Sequence, residues 1–170
     1  SGGGTVVDLG CGSSTMGMEA LTLGGFNRLV LLDCSPTLVT KLACDHAGDP
    51  RVAAFAGDVR DLSALVRDEE ADCIIDKGTL DALSKEEDKM AMMREMKRIL
   101  APDGCIVSVS FPAVARHEFL ARETETLGLG WSFRVLAAGD PARGNPAVFL
   151  SVLFRQESDA MRGVEWEVDD

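Results

Sequence analysis

Tyrosine is absent from this 170-residue chain, and tryptophan and histidine occur only twice each. Aromatic residues make up 5% of the sequence, which leaves little with which to stack a planar substrate. The two histidines, His46 and His117, stand far apart and lack the spacing of metal ligands, so both are read as ordinary surface or core residues. The five cysteines (Cys11, Cys34, Cys44, Cys73 and Cys105) are odd in number and scattered, with no Cys-x-x-Cys pair. That pattern excludes a disulfide framework and a zinc site and points to a reducing compartment. No stretch approaches the roughly 18 apolar residues of a membrane span. The start, "SGGGTVVDLG", has no basic region followed by an apolar one, so no signal peptide is read. Basic residues are also scarce: 17 against 28 acidic ones, for a net charge of −11. Phosphate contacts need a basic surface, so nucleic acid is disfavoured as a partner. An acidic field favours a cation or a lysine-presenting protein surface, with plain solubility as the alternative.

What is present is a rhythm. Short, nearly continuous apolar runs, "TVVDL" (Thr5–Leu9), "RLVLLD" (Arg28–Asp33), "RVAAFAG" (Arg51–Gly57), "ADCIID" (Ala71–Asp76) and "GCIVSVSF" (Gly104–Phe111), read as parallel strands covered on both faces. Helix-length segments alternate with them over Thr15–Leu23, Pro36–Ala47 and Ser84–Leu100, with a short turn at Leu62–Val66. The spacing of Met92, Met93, Met96, Ile99 and Leu100 predicts a buried stripe. Ser84 with Glu87 fits a capping box, and Pro102-Asp103-Gly104 a terminator. After a further helix over Ala113–Leu127, the runs Trp131–Gly139 and Ala147–Arg155 are joined by a loop too short for a crossover helix, so they form an antiparallel hairpin. The expectation is one α/β domain over residues 1–156: a three-layer, doubly wound, Rossmann-like sheet of seven strands, mostly parallel. The acidic tail, 157–170, is expected to be poorly ordered.

In such a sheet ligands collect at the carboxyl ends of the strands. The first strand runs through Asp8 into Gly10 and Gly12, a turn that brings backbone amides close to a ligand. The second ends on Asp33, placed to accept from a ribose diol. The third ends in Gly57 and Asp58 beside Val59, a pair able to read an adenine edge. The fourth ends on Asp76, Lys77 and Gly78. Each acid alone could equally be a turn or cap residue. A dinucleotide site needs a third glycine where Thr15 stands. The set therefore fits a ligand with adenosine but no pyrophosphate, S-adenosyl-L-methionine, leaving as S-adenosyl-L-homocysteine. The Asn/Asp-Pro-Pro-aromatic segment that stacks planar acceptors is replaced by "DKGT", which favours an amine.

"VVDLGCGSS", "LLDCS", "GDVRDL" and above all "DKGTLDAL" resemble the seven-stranded S-adenosylmethionine-dependent methyltransferases. The similarity is greatest to the methyltransferase-like protein-lysine methyltransferases that act on translation elongation factor one-alpha or mitochondrial citrate synthase. It spans Thr5 to Arg155. The resemblance implies that Asp8, Gly10 and Gly12 hold the methionine end of the cofactor, Asp33 the ribose, and Asp58 with Val59 the adenine. Cys11, Ser14, Cys34, Ser35 and Gly57 are counted with them as cofactor-binding. Asp76, Lys77 and Gly78 would line the pocket where sulfonium meets acceptor. Asp76 and Asp81 are the candidates for orienting the acceptor, with helix entry as the alternative for Asp81. Lys77 is read as the partner of an acid, or else of the cofactor carboxylate. Family members also carry a helical segment ahead of the first strand, and this sequence begins almost at that strand. The reading is a monomeric protein-lysine methyltransferase of the cytoplasm, with the mitochondrion as an alternative and no membrane or metal. A small-molecule methyltransferase whose Pro141–Pro146 loop closes over a metabolite, and a cofactor-binding module without catalysis, stay open.

Overall fold

Each central strand is apolar on both faces, so each must be covered twice. The computed structural model, which describes residues 3–111, 113–137 and 147–155, shows how. In chain order the elements are β1 (Thr5–Leu9), α1 (Met16–Leu23), β2 (Arg28–Asp33), α2 (Pro36–Asp45), β3 (Val52–Ala56), β4 (Ala71–Lys77), α3 (Thr79–Ala82), α4 (Glu86–Ile99), β5 (Leu100–Ser110), α5 (Ala113–Leu127), β6 (Leu129–Ala137) and β7 (Val148–Arg155). Val7 and Leu9 of β1, Val30 and Leu32 of β2 and Ile74 of β4 bury against Met92, Met93, Met96 and Ile99 of α4 and Phe119 and Leu120 of α5. The alternate residues Val6, Leu29, Leu31, Cys73 and Ile75 face the opposite way, packing with Leu21 of α1 and Leu42 of α2. A sheet clothed by helices on both sides is the three-layer arrangement that the apolar runs require.

The strands lie in the order β3-β2-β1-β4-β5-β7-β6. The pairs from β3 to β5 are parallel, whereas β7 runs against both β5 and β6. The expected hairpin is there, but its second strand inserts between β5 and its first, leaving β6 at the edge. The chain moves outward from β1 to β2 and β3 on one side and to β4 and β5 on the other, which opens a crevice at the carboxyl ends of β1 and β4. Register pairs Leu9 with both Leu32 and Asp76, so Asp8, Asp33 and Asp76 come to one end of the sheet.

Three expectations are corrected. Ser84 and Glu87 form no capping box: α4 begins at Glu86, and Lys85 at its N-cap makes no side-chain capping bond. Three acids in the first turn (Glu86, Glu87 and Asp88) and Lys97 and Arg98 in the last complement the helix dipole instead. β5 starts at Leu100, not Gly104, because the chain leaves α4 at Ile99 and pairs Leu100 with Ala71 across an irregular register. A short helix, α3, occupies the segment read as a lead into α4. The tail 157–170 and the Pro141–Pro146 loop lie outside the described residues.

The methionine stripe is core: Met92 and Met93 have no exposed surface, and Met96 is 1% exposed. Met93→Ala is expected to cost about 2–5 kcal/mol through lost burial and the cavity left behind, read as a lower urea midpoint at unchanged slope. A change under about 0.5 kcal/mol, the usual size for an exposed site, would refute this packing.

Candidate active site

The turn after β1 is built on two left-handed glycines, Gly10 (φ 65°) and Gly12 (φ 53°), a conformation that other residues adopt only under strain. Gly10 is excluded from change for a second reason: a Cβ there would lie 2.2 Å from Oγ1 of Thr79. That hydroxyl donates to the Leu9 carbonyl at 2.8 Å and so ties α3 to the glycine turn. The amide of Gly12 donates to Asp33 Oδ2 at 3.0 Å, and the amide of Ser35 to Asp33 Oδ1 at 2.9 Å. Asp33 thus spans the ends of β1 and β2, and each of its oxygens retains capacity to accept again. Ser35 also caps α2 by accepting from the Leu38 amide. Cys11 is buried and its amide donates to Leu32, whereas Cys34 is exposed. Burial, then the charges of Asp8 and Asp33, push the Cys11 thiol up to about 12, so Cys11 stays a neutral packing residue. Ser14 accepts from the Met16 amide at the start of α1.

Asp8 is 1% exposed, and its Oδ2 is buried with no hydrogen-bond partner. Burial raises its carboxyl from the ordinary 3.8 to about 6, while the amide of Gly17 and the charge of Lys77 pull the other way and Asp76 and Asp33 add to the rise. Gly17 was not foreseen as part of the site. A Cβ there would come within 2.9 Å of Asp8 Oδ2, so a bare helix position lets α1 approach the acid. Lys77 is exposed and, among the described residues, makes no ion pair. The expected structural pair for Lys77 is therefore corrected: Asp76 and Asp81 are held by other groups, and Asp8, although it feels the charge of Lys77, forms no ion pair with it. A buried carboxylate with an oxygen to spare, beside an unpaired ammonium, suits the ammonium and carboxylate of an amino acid.

Asp76 is fully buried and committed. Oδ1 accepts from the Thr79 and Leu80 amides, each at 3.0 Å, and Oδ2 from the Ser108 hydroxyl at 2.7 Å. Burial raises its pKa, while Arg116, Ser108 and Leu80 oppose the rise. Asp81 Oδ1 lies 2.7 Å from Arg116 Nη2, and its Oδ2 accepts from the Phe111 amide at 3.3 Å. The expectation that Asp76 lines the pocket and reaches the acceptor is thus corrected, since its sealed oxygens hold the corner together; Asp81, paired with Arg116, keeps an edge at the rim. Arg116 was missed. Its signal was there, since Arg116, Leu120 and Thr124 share one helical stripe, and all three are buried.

The third strand's end departs from expectation in one respect. The Gly57 amide donates to the Asp33 carbonyl at 3.0 Å, which brings this end beside Asp33. The Asp58 carboxylate, however, accepts from the amide and side chain of Arg60, and these bonds hold its pKa below the ordinary value. Val59 packs against the core. An adenine contact by Asp58 would have to share the carboxylate with Arg60.

A sheet of this order, with a glycine turn after β1 and acids at the ends of β1, β2 and β4, defines a class I S-adenosylmethionine-dependent methyltransferase fold. Comparison with known proteins agrees. The chain belongs to the methyltransferase domain family, whose model matches residues 6–104, more than half of the sequence. It is similar to EEF1A lysine methyltransferase 4 of Mus musculus, with 28% identity over 188 residues covering 91% of this chain and 72% of that protein. Among solved structures it resembles a SAM-dependent methyltransferase from Methanosarcina mazei (TM-score 0.74, 14% identity, covering 91% of this chain and 93% of the other). It also resembles the N-methyltransferase NodS from Bradyrhizobium japonicum (TM-score 0.68, 16% identity, covering 92% and 88%). At such identities the structures show the fold alone. The cofactor of the family is S-adenosylmethionine, and the orphaned Asp8 oxygen beside Lys77 fits its amino-acid end.

The raised Asp8 carboxyl gives two linked outcomes. Its folded value lies above the ordinary one, so stability is fully present below about pH 4 and falls as pH rises through about 6. Ionised Asp8 then costs about 3 kcal/mol at pH 8. Asp8→Asn is expected to raise the unliganded melting temperature at pH 8 by several degrees while weakening S-adenosylhomocysteine binding at least about tenfold. In the unsubstituted protein, calorimetric affinity should fall as pH drops below about 6, where the carboxyl must first lose a proton. Affinity that is flat from pH 5 to 8 would remove Asp8 from the site.

Proposed function

We propose that this chain transfers a methyl group from S-adenosylmethionine to the side-chain amine of a lysine on a protein. The observation that carries the reading is the "DKGTLDAL" corner at the end of β4, in a chain similar over 91% of its length to a protein named as a lysine methyltransferase. When bound, the cofactor would supply an electrophilic methyl on a sulfonium, the amine lone pair forming the new N–C bond as the C–S bond breaks and S-adenosylhomocysteine leaves as a neutral thioether. The residues named for its amino-acid end are Asp8, Lys77 and the Gly10–Gly12 amides, and for its ribose Asp33.

A lysine ammonium has an ordinary pKa near 10.4, so the acceptor must shed a proton before it can attack. With Asp76 sealed and the charge of Asp81 paired with Arg116, neither carboxylate of that corner offers an unpaired charge to the ammonium. The apolar ring of Phe111, packed 3.9 Å from where a Gly78 Cβ would stand, favours the neutral amine. The long-range field acts in the opposite sense, since a net charge of −11 draws a basic protein surface toward the crevice. All five cysteines are free, which supports a reducing compartment, and the cytoplasm is the compartment inferred. Among the described residues no helix is long and apolar enough to cross a membrane.

The test is to incubate the protein with methyl-labelled cofactor and cell extract, then hydrolyse the labelled protein and separate its amino acids. Methylated lysine is the expected product. Label found only in the small-molecule fraction would overturn the lysine assignment and make the chain a small-molecule methyltransferase.

A further inference from the structure

Arg116 is a buried cation that none of the roles above uses. It is 4% exposed, on the inward stripe of α5. Its Nη2 lies 2.7 Å from Asp81 Oδ1 and 3.5 Å from Asp76 Oδ2, and its Nε donates to Ser110 Oγ at 3.4 Å. Nη2 makes no well-aligned hydrogen bond. It sits between two acids as a shared counter-charge, not as a fork clasping one of them.

Each acid leads to a different wall of the crevice. Asp76 holds the amides of Thr79 and Leu80, and Thr79 in turn holds the Leu9 carbonyl at the glycine turn. Asp81 holds the Phe111 amide at the end of β5, and Phe111 lies against Gly78. One guanidinium therefore ties α5 to both sides of the Lys77–Gly78 corner. Had neutralising the buried Asp76 been all that was required, its closer contact would be with Asp76. It is instead with Asp81, whose side chain is still 16% exposed at the rim.

We propose that Arg116 is a positioning residue of the transfer reaction: through Asp76 and Asp81 it holds the Lys77–Gly78–Thr79 corner where donor and acceptor meet, without touching either. The inference rests on reading that corner as the reacting site. Misplacing a reacting group by about an ångström can cost on the order of a hundredfold in rate, so the positioning shows in turnover. Cofactor binding depends on it less, because Asp33 and the amides of Gly12 and Ser35 are held by bonds of their own and only the contribution of Lys77 runs through this corner.

Removing Arg116 alone leaves two acids facing each other in a dry site and threatens folding. The test therefore uses two variants. R116M paired with D81N removes one charge of each sign, and the new amide oxygen can still accept from Phe111. R116K keeps the charge but loses the planar reach. Three quantities are measured: S-adenosylhomocysteine affinity by calorimetry, methyl transfer to extract protein at saturating cofactor, and amide hydrogen exchange. For R116M/D81N the expected result is affinity within about threefold of the parent and transfer lower by roughly thirtyfold or more. Exchange should be faster at Gly78, Thr79 and Leu80 but not in β1 or β2, and R116K should recover part of the transfer. Unchanged transfer with normal affinity would overturn the proposal. So would exchange that rises uniformly, which would mark Arg116 as a general stabiliser. If the parent itself transfers no label to protein, the lysine reading fails, while the exchange pattern still decides whether Arg116 holds this corner.

Discussion

A carboxylate sealed at the end of β4 gathers donors from two elements and a counter-charge from a third, and the crevice depends on it. Asp76 accepts from the first two amides of α3 and from Ser108 of β5, and faces Arg116 of α5. An isolated buried charge is among the most costly features a fold can contain, and this one is tolerated because its oxygens are occupied. The arrangement is directional as well as favourable. The acid cannot keep its donors unless α3 starts at Thr79, and that start puts the Thr79 hydroxyl against β1. Thus one buried acid fixes where β4 ends, how the chain turns, and how the turn meets its neighbour.

Asp8, on the adjacent strand at the same end of the sheet, is treated in the opposite manner. It is nearly as buried as Asp76, yet one oxygen has no partner, and burial lifts its pKa to about 6. Packing is given up to bring the helix there, since α1 approaches only because position 17 lacks a side chain. A group that destabilises the empty fold and suits a cation is the usual mark of a site shaped for binding at some expense in stability. The two acids divide the work: Asp76 builds the wall, and Asp8 stands behind it with an oxygen free for a charge. Lys77, next to Asp76 in sequence, is left unpaired because Arg116 holds Asp76 and Asp81 from the opposite face of the sheet.

Much of this was legible in advance. Continuous apolar runs with helical patterns between them dictate a parallel sheet between two helix layers, and β1 and β2 fall at the positions read from their residues. The glycine turn and Asp33 come together as their spacing implied, because a parallel sheet aligns the ends of adjacent strands. Local signals misled where a tertiary contact was stronger. Ser84 lost its capping role because the chain is still leaving α3 at that point, and Pro102 did not keep β5 from starting upstream. Asp58 turned to Arg60, a partner two residues away that any exposed acid could find.

The amino-acid order determined which segments become strands and helices, which faces of them are apolar, and which polar residues stand at the strand ends. Those follow from periodicity and backbone preference, properties of a few neighbouring residues. Folding alone decided which of those polar groups remain free. Arg116 is 40 residues from Asp76 and 35 from Asp81 by position, and only the packing of α5 across β4 and β5 brings its charge between them. Hydrogen bonding capacity is finite and is allotted by proximity in space, so the pattern that marked Asp76, Lys77 and Asp81 as a group could not show that two were taken and one was left over.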